Sequence, residues 1–305
     1  MENILSQQFE PVVKEIEQEL IGKRDVIIKT MTAFFARGHL LLEDIPGVGK
    51  TTLAKSFAIA MGLDFGRIQF TSDLLPSDIL GISYFDAKSG QFRLKKGPIF
   101  TQFLLADEIN RSMPKTQSAL LEAMEEGFVT IDGVSYELPK PFFVMATQNP
   151  LEEYGTFPLP HSQLDRFICS FGIGYPDPKA EREALIGKSQ KISLKPIMNP
   201  EIIMKIQSDV QSVSLSSAML DYIQKVVSFT RDSGIFVYGL STRGALALVS
   251  MIRSWAYLHG RDYAVPDDLL AVVGEVCVHR LKFKEGKSSI SRIIDEISKN
   301  ISPES

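Results

Sequence analysis

The stretch Leu41 to Ala58, LLEDIPGVGKTTLAKSFA, carries the residues best suited to chemistry. A loop between a buried strand and a helix can direct several backbone N–H groups at a phosphate, and the helix N-terminus adds its dipole. Lys50 would reach the terminal phosphates, and the Thr51 hydroxyl would bind Mg²⁺. The residues predicted to surround a bound nucleotide here are Pro46, Gly47, Val48, Gly49, Lys50, Thr51 and Thr52.

One position departs from the strict pattern G-x-x-x-x-G-K-[ST], which has glycine where this chain has Asp44. Aspartate tolerates left-handed backbone better than most residues other than glycine, so we expect the turn to form. The alternative is a strand–helix connection in which Lys50 is merely solvated. That alternative is weaker, because the order strand, G-x-G-K-T-T, helix is the context that a phosphate loop requires.

A second acidic pair, Asp107-Glu108, follows the apolar run FLLA. Parallel sheets gather ligand groups at the carboxyl ends of their strands, so both carboxylates would lie near the loop. Asp107 would hold Mg²⁺ through water, and Glu108 would polarise the water that attacks the γ-phosphate. Alone, the dipeptide is equally compatible with solvated carboxylates or a helix cap. Its place after a buried strand, ~55 residues beyond the loop, favours nucleotide hydrolysis.

Alternating patterns predict the elements that position these residues. Helical patterns fall between short apolar runs, which predict strands at 39–43, 67–71, 103–108, 142–149 and 167–175. This alternation predicts an α/β fold, a three-layer αβα core with a mainly parallel sheet, over residues 1–178. Period-two inserts at 81–97 and 128–139 predict β-hairpins. Only helical patterns occur at 179–305, which predicts an all-helical second domain.

The composition argues against several classes of protein. The 305 residues carry a net charge of −4, whereas domains that coat nucleic acid are strongly basic. No apolar run approaches the ~18 residues that span a bilayer, and the N-terminal stretch is polar and amphipathic, so we expect a cytoplasmic protein without membrane insertion. Cys169 and Cys277 lie far apart without C-x-x-C spacing, which predicts reduced structural thiols.

Four segments together resemble the MoxR family of AAA+ ATPases: DIPGVGKTTLA, LLADEINRSMPKTQSALLEAMEE, VMATQNPLEEYGTFPLPHSQLDRF and GLSTRGALAL. The similarity runs from Ile21-Gly22 to the region of Leu270. Members of this family often carry aspartate at the position of Asp44. The resemblance therefore implies ATP hydrolysis with ATP and Mg²⁺ as cofactors, in an αβα core followed by a helical lid.

The resemblance also implies roles for single residues. Asn149 matches sensor 1, whose amide lies between the γ-phosphate and the attacking water; the residues alone leave a turn before Pro150 as the alternative. Arg166 matches the arginine finger, which reaches the nucleotide of the neighbouring subunit; the alternative is an ion pair with Asp165. Arg243 matches sensor 2 in the first turn of a lid helix, near the γ-phosphate, with a surface arginine as the alternative.

Weaker matches concern the adenine edge and the subunit junction. Ile21 and Gly22 resemble the adenine contact, and Arg111 resembles a residue facing the neighbouring subunit. A finger that serves a neighbouring site implies a homo-oligomeric ring, most simply a hexamer. The helical domain would then move with nucleotide state.

The resemblance implies a chaperone-like remodeller or metal-insertion helper for separate partner proteins with von Willebrand factor A domains. The hairpins resemble pore-facing inserts, and Arg93, Lys95 and Lys96 would meet an acidic protein face or protect a sheet edge. The alternatives are an ATPase subunit of a magnesium chelatase and a DNA-translocating ring motor, which the acidic balance disfavours. A switch that binds ATP without cleaving it is disfavoured by the joint presence of Glu108, Asn149 and Arg166.

Overall fold

The computed structural model describes residues 5–150, 154–176, 178, 181–182 and 193–302, and it contains a five-stranded parallel sheet. The strands of this sheet are β1 (Leu40–Glu43), β2 (Phe65–Gln69), β5 (Phe103–Asp107), β8 (Phe143–Gln148) and β9 (Cys169–Phe171). The helices along the same part of the chain are α1 (Glu10–Glu17), α2 (Arg24–Phe35), α3 (Lys50–Ala60), α4 (Pro76–Leu80), α5 (Pro114–Glu126) and α6 (His161–Leu164). The predicted αβα core is therefore confirmed, whereas the short helices α4 and α6 were not predicted.

The sheet order is β2-β5-β8-β1-β9, with every neighbouring pair parallel. The central strands β5 and β8 are apolar and buried on both faces, as strands of parallel sheets are. Leu40 pairs with Met145, and Phe103 pairs with Phe143. This register brings the carboxyl ends of β1, β5 and β8 together at one edge of the sheet.

Both predicted hairpins form outside this sheet. The first consists of β3 (Gly81–Asp86) and β4 (Gln91–Lys96), and the second of β6 (Phe128–Ile131) and β7 (Val134–Glu137). Asp132 and Gly133 have φ of 50° and 79° at the tip of the second hairpin. Two successive positive φ values match the twist of the flanking strands, which explains the Asp-Gly pair.

The second part of the chain is helical in all elements that the structure describes. The helices are α7 (Pro200–Gln211), α8 (Ser217–Asp232), α9 (Thr242–Leu258), α10 (Pro266–Cys277) and α11 (Ile290–Asn300). Side chains of Asn199, Ser216, Ser241 and Ser289 accept the hydrogen bonds that cap four of these helices. The predicted boundary between 178 and 179 adjoins residues outside the described ranges and stays a prediction. No helix among the described residues is long and apolar enough to cross a membrane.

Gly38 has a different role from the one predicted. The sequence pattern predicts a helix from Arg24 to Arg37 that Gly38 ends, but α2 ends at Phe35 and Arg37 adopts the left-handed backbone with φ of 58°. A Cβ on Gly38 would lie 2.3 Å from Ile168 Cβ, so glycine is required there for space.

The helical domain shares a continuous apolar core with the sheet domain. Ile252 on α9 and Phe34 on α2 belong to the same buried cluster. Two buried hydrogen bonds join the parts: Ser254 Oγ donates to the Thr32 carbonyl at 2.8 Å, and Gln207 Nε2 donates to the Phe34 carbonyl at 2.9 Å. The domains therefore stabilise one another.

We expect Ile252→Ala to lower the stability of both domains by about 2–5 kcal/mol, because it leaves a cavity in the shared core. Urea unfolding can be followed by fluorescence of Trp255 on α9, the sole tryptophan, and by far-ultraviolet circular dichroism. The unfolding midpoints from both signals should shift together to a lower urea concentration. An early transition seen only by Trp255 would contradict mutual stabilisation.

Candidate nucleotide-binding site

The loop from Asp44 to Gly49 joins β1 to α3 and turns at two glycines. Gly47 and Gly49 have φ of +86° and +97°, in the left-handed region that favours glycine. Gly49 is also the N-cap of α3, so the unpaired N–H groups of the first helical turn face the loop. A Cβ on Gly49 would come within 3.2 Å of Leu20 Cδ1. Leu20, the residue before Ile21 and Gly22, therefore lies next to the loop.

Asp44 contributes through its side chain. It is absent from the residues with positive φ in the described ranges, so the turn does not use the left-handed tolerance that we expected of it. Instead, its carboxylate accepts from the Ile45 N–H at 2.8 Å and from the Gly174 N–H at 2.7 Å. Lys50 Nζ donates to the Asp44 carbonyl at 2.7 Å. Asp44 thus ties the phosphate loop to the segment that follows β9.

The loop opens onto a cavity of about 340 Å³, within the usual size range for small-molecule sites. The residues that line it are Pro46, Gly47, Gly49, Lys50, Thr51, Thr52, Asp107, Glu108 and Asn149. Most predicted loop residues, both predicted carboxylates and the sensor-1 match therefore meet in one place. Val48 is buried beneath the loop instead.

Hydrogen bonds hold the two carboxylates in fixed positions. Asp107 Oδ1 accepts from Thr147 Oγ1 at 2.7 Å, and Asp107 Oδ2 accepts from Arg67 Nη2 at 2.7 Å. Glu108 Oε2 accepts from Gln69 Nε2 at 2.8 Å and lies 3.0 Å from Arg111 Nε. Each carboxylate is thus oriented by groups from neighbouring elements.

Glu108 has left-handed backbone with φ of 58°, where its N–H donates to Thr147 Oγ1 at 2.9 Å. Such φ values are uncommon for residues other than glycine and recur at functional sites. The turn carries Glu108 out of the strand that ends at Asp107 and toward the cavity. Asn149 comes just after β8 and is only 7% exposed.

No sequence pattern predicted Thr147, Arg67 and Gln69 as residues of the site. Thr147 is a fully buried hydroxyl in the apolar strand β8, which is the signal that could have identified it. Arg67 and Gln69 are polar residues on alternate positions of β2, beside the strand that ends in the acidic pair. Only the strand order, which the sequence does not give, makes them neighbours of Asp107 and Glu108.

Neither Arg166 nor Arg243 lines this cavity. The two arginines lie near each other at a different place, where both contact Glu125. Arg166 Nη1 lies 3.3 Å from Glu125 Oε2, and Arg243 Nη2 contacts Glu125 Oε1. The alternative pairing of Arg166 with Asp165 is wrong for the described contacts, because Asp165 Oδ1 accepts from Arg280 Nε at 2.6 Å. Arg111, which the family resemblance places at the junction with the neighbouring subunit, contacts Glu108 of its own chain.

Ile21 and Gly22 lie in the loop before α2. Lys23, the next residue, donates through Nζ to the carbonyls of Ile173, at 2.8 Å, and Tyr175, at 2.5 Å. Ile21 is exposed, and Gly22 has a φ of 72°. Their adenine contact stays a prediction, on a segment packed beside the phosphate loop.

His39 and the thiols of Cys169 and Cys277 are structural. Burial lowers the pKa of His39 to about 4, and its Nδ1 accepts from the Val144 N–H, so the ring is neutral. Burial also raises the pKa of Cys277 to about 12 and the pKa of Cys169 still further. Both thiols are therefore protonated and shielded, which makes them poor nucleophiles.

We expect Asp44→Gly to destabilise the protein by about 1–3 kcal/mol, although it restores the glycine of the common pattern. The substitution removes the acceptor for Ile45 and Gly174, and glycine adds entropy to the unfolded chain. Asp44→Asn keeps one acceptor oxygen and should lose less. Urea unfolding of the three proteins measures this, and a glycine variant as stable as the parent would show that the carboxylate contributes nothing.

Comparison with known proteins agrees with this geometry. Residues 39–169 match the ATPase family associated with various cellular activities (AAA), and residues 228–297 match the AAA lid domain. The chain is 47% identical to YeaC of Bacillus subtilis over 88% of this chain and 85% of that protein. It is 37% identical to Chaperone MoxR1 of Mycobacterium tuberculosis over 96% of this chain and 79% of that protein.

A solved structure shows the same fold over nearly the whole length. The crystal structure of a candidate ATPase from Cytophaga hutchinsonii superposes with a TM-score of 0.88 and is 36% identical, covering 97% of this chain and 94% of that one. The family match therefore includes the loop, the acidic pair and the helical lid. The chain belongs to the MoxR family of AAA+ ATPases.

Proposed function

We propose that this protein hydrolyses ATP in the cavity beside α3 and uses the energy to remodel a separate protein. The observation that carries the proposal is the convergence of Lys50, Thr51, Asp107, Glu108 and Asn149 on one cavity. A phosphate loop alone would serve binding. A carboxylate and an amide that face the same cavity add the groups needed to activate and orient water.

The loop and the start of α3 would bind the phosphates. Backbone N–H groups at the helix N-terminus favour anions, and Lys50 adds a full positive charge. The hydroxyl of Thr51 and the carboxylate of Asp107 are hard oxygen ligands of the kind that Mg²⁺ takes, so these two residues would hold the ion. When bound, Mg²⁺ offsets the charge that develops on the phosphate oxygens.

Glu108 would polarise the attacking water, and Asn149 would hold that water in line with the γ-phosphate. Both residues line the cavity from neighbouring strand ends. Gln69 donates to Glu108 Oε2. The hydrogen bond restricts the carboxylate to one orientation, and a fixed general base is more effective than a mobile one.

Arg166 and Arg243 would act together on ATP bound by the neighbouring protomer. Both arginines contact Glu125 of their own chain, and neither of them lines the cavity of that chain. A guanidinium brought in from a neighbour stabilises the negative charge of the transition state. The protein would therefore assemble into a ring, most simply a hexamer.

The proposed client is a separate protein with a von Willebrand factor A domain, which this protein would remodel as a chaperone or help to load with metal. The name of the relative Chaperone MoxR1 supports the chaperone-like role. The partner class and metal insertion rest on the family resemblance alone. The hairpin β3–β4 offers a contact surface, with Phe85 and Phe92 exposed on it. A role in a magnesium-chelatase-like complex would use the same ATPase chemistry with another partner.

We expect Glu108→Gln to bind ATP as tightly as the parent but to hydrolyse it about 100-fold or more slowly, because the amide cannot accept a proton from water. Phosphate release measures turnover, and equilibrium binding of a fluorescent ATP analogue is the matched control. Normal turnover would remove Glu108 from this role.

The same variant provides a test for the client. Held with ATP, Glu108→Gln protein should retain partners that Lys50→Ala protein does not, because we expect Lys50→Ala to abolish nucleotide binding. Recovery of proteins with von Willebrand factor A domains would support the proposed partner class. Recovery of chelatase subunits would favour the alternative.

We expect Arg166→Ala to leave ATP binding intact and to reduce turnover by about 1,000-fold. Mixing it with Lys50→Ala protomers should restore activity, because an intact cavity on one protomer can then face an intact arginine on the next. Absence of any recovery at concentrations where the mixture assembles would contradict catalysis across a subunit boundary.

A further inference from the structure

Glu125, near the C-terminal end of α5, contacts both arginines at once. Its Oε2 lies 3.3 Å from Arg166 Nη1, and its Oε1 accepts from Arg243 Nη2. Arg166 follows α6 in the sheet domain, whereas Arg243 lies in the first turn of α9 in the helical domain. One carboxylate therefore joins two guanidiniums that are 77 positions apart in the sequence.

A second carboxylate joins the same two segments through a side-chain hydrogen bond. Asp165 precedes Arg166, and its Oδ2 accepts from Ser241 Oγ at 2.8 Å. Ser241 is the N-cap of α9, two residues before Arg243. Asp165 Oδ1 is held by the buried side chain of Arg280 at 2.6 Å. The two arginines are thus connected at their origins by Asp165 and at their tips by Glu125.

This double connection matters because two guanidiniums of like charge repel each other. A carboxylate between them offsets the repulsion and aligns both groups. Each guanidinium has five N–H donors, and the contact with Glu125 uses one terminal nitrogen of each. The side chains are partly exposed, at 29% for Arg166 and 46% for Arg243. The pair can therefore present further donors outward, toward an anion.

We propose that Glu125 is a positioning residue that holds Arg166 and Arg243 as a single two-arginine receptor for the phosphates bound by the neighbouring protomer. The inference rests on the proposed function, because it needs a nucleotide across the subunit boundary. Glu125 does not touch that nucleotide; it sets the spacing and direction of the two groups that do.

The first test compares Glu125→Gln with Glu126→Gln in the assembled protein. Both changes remove one negative charge from the end of α5, but only the first removes the bridging carboxylate. Glu125→Gln should lower kcat about 10- to 100-fold, since a misplaced group loses most of its effect on the transition state. KM for ATP and the thermal midpoint should stay near parental values, because the cavity is intact and the pair is partly exposed. Glu126→Gln should be near parental throughout.

The second test uses assemblies that contain two variants. If Glu125→Gln caused a general structural defect, recovery of turnover would not depend on which variant it is mixed with. Glu125→Gln protomers should recover turnover when mixed with Lys50→Ala protomers, whose arginines are intact. They should not recover when mixed with Arg166→Ala protomers, because both partners then carry defective receptors. Glu125→Asp, which keeps the charge on a shorter side chain, should lie between the parent and Glu125→Gln.

The outcomes separate this inference from the function that it extends. Parental or faster turnover by Glu125→Gln would overturn it, since the carboxylate would then be idle or would mask the arginines. The inference would also be overturned if Glu125→Gln protomers recovered turnover with Arg166→Ala protomers but not with Lys50→Ala protomers. The defect would then lie in the cavity of the Glu125→Gln protomer itself. If Arg166→Ala and Lys50→Ala recover together but Glu125→Gln and Lys50→Ala do not, only the role of Glu125 fails. If neither mixture recovers, catalysis across the boundary fails, and the receptor with it.

Discussion

The site depends on the parallel pairing of β5 with β8 in one register. Ala106 pairs with Ala146, so the next residues, Asp107 and Thr147, lie side by side and their side chains hydrogen-bond. A slip of one residue would turn Thr147 to the other face and leave Asp107 beside an apolar or longer side chain. It would also remove the hydroxyl that receives the Glu108 N–H. Both strands are packed on both faces of the sheet, so a slip would exchange side chains of different size between the two faces and disrupt that packing.

The link between the domains constrains how the helical domain can move. Arg280 is 2% exposed and donates to the Asp165 carboxylate, while its other nitrogens donate to the carbonyls of Ile168, at 3.0 Å, and Phe167, at 2.6 Å. Separating such a buried pair costs about 3–5 kcal/mol. A rotation of the helical domain against its own sheet domain would have to preserve these contacts or replace them. These contacts fix the segment that carries Arg166 against the segment that follows α10.

Local patterns predicted most of the fold, because each depends on residues close in sequence. The loop at Gly47–Lys50, the hairpin at 128–139 and the helices of the second part of the chain are examples, and their type and order are confirmed. The boundaries of α2 and β2 differ from the predictions by two residues or so, because helix and strand ends respond to packing as well as to sequence. Gly38 shows this most clearly, since its requirement for space comes from Ile168, 130 positions away.

The contacts that orient the site could not be predicted in the same way. The motif predicts a backbone role for Asp44, yet its contribution is a carboxylate that accepts from Gly174, which follows the neighbouring strand β9. No motif assigns a role to Arg67, Gln69 or Glu125. Strand order and domain packing alone bring these residues into contact with the residues of the site. A single sequence gives residue types and spacing, whereas these contacts are products of tertiary structure.

Charge balance gives an independent reason for a divided site. Arg67 contacts Asp107, and Arg111 lies against Glu108, so these two arginines already offset the two carboxylates at the cavity. A triphosphate that enters brings several further negative charges, and within the described lining Lys50 is the cationic side chain that faces them. Mg²⁺ would offset part of the remainder, but the charge that develops on the leaving phosphate needs donors beyond it. Arg166 and Arg243 contact Glu125 and do not line their own cavity, which favours the proposal that a neighbouring protomer supplies those donors.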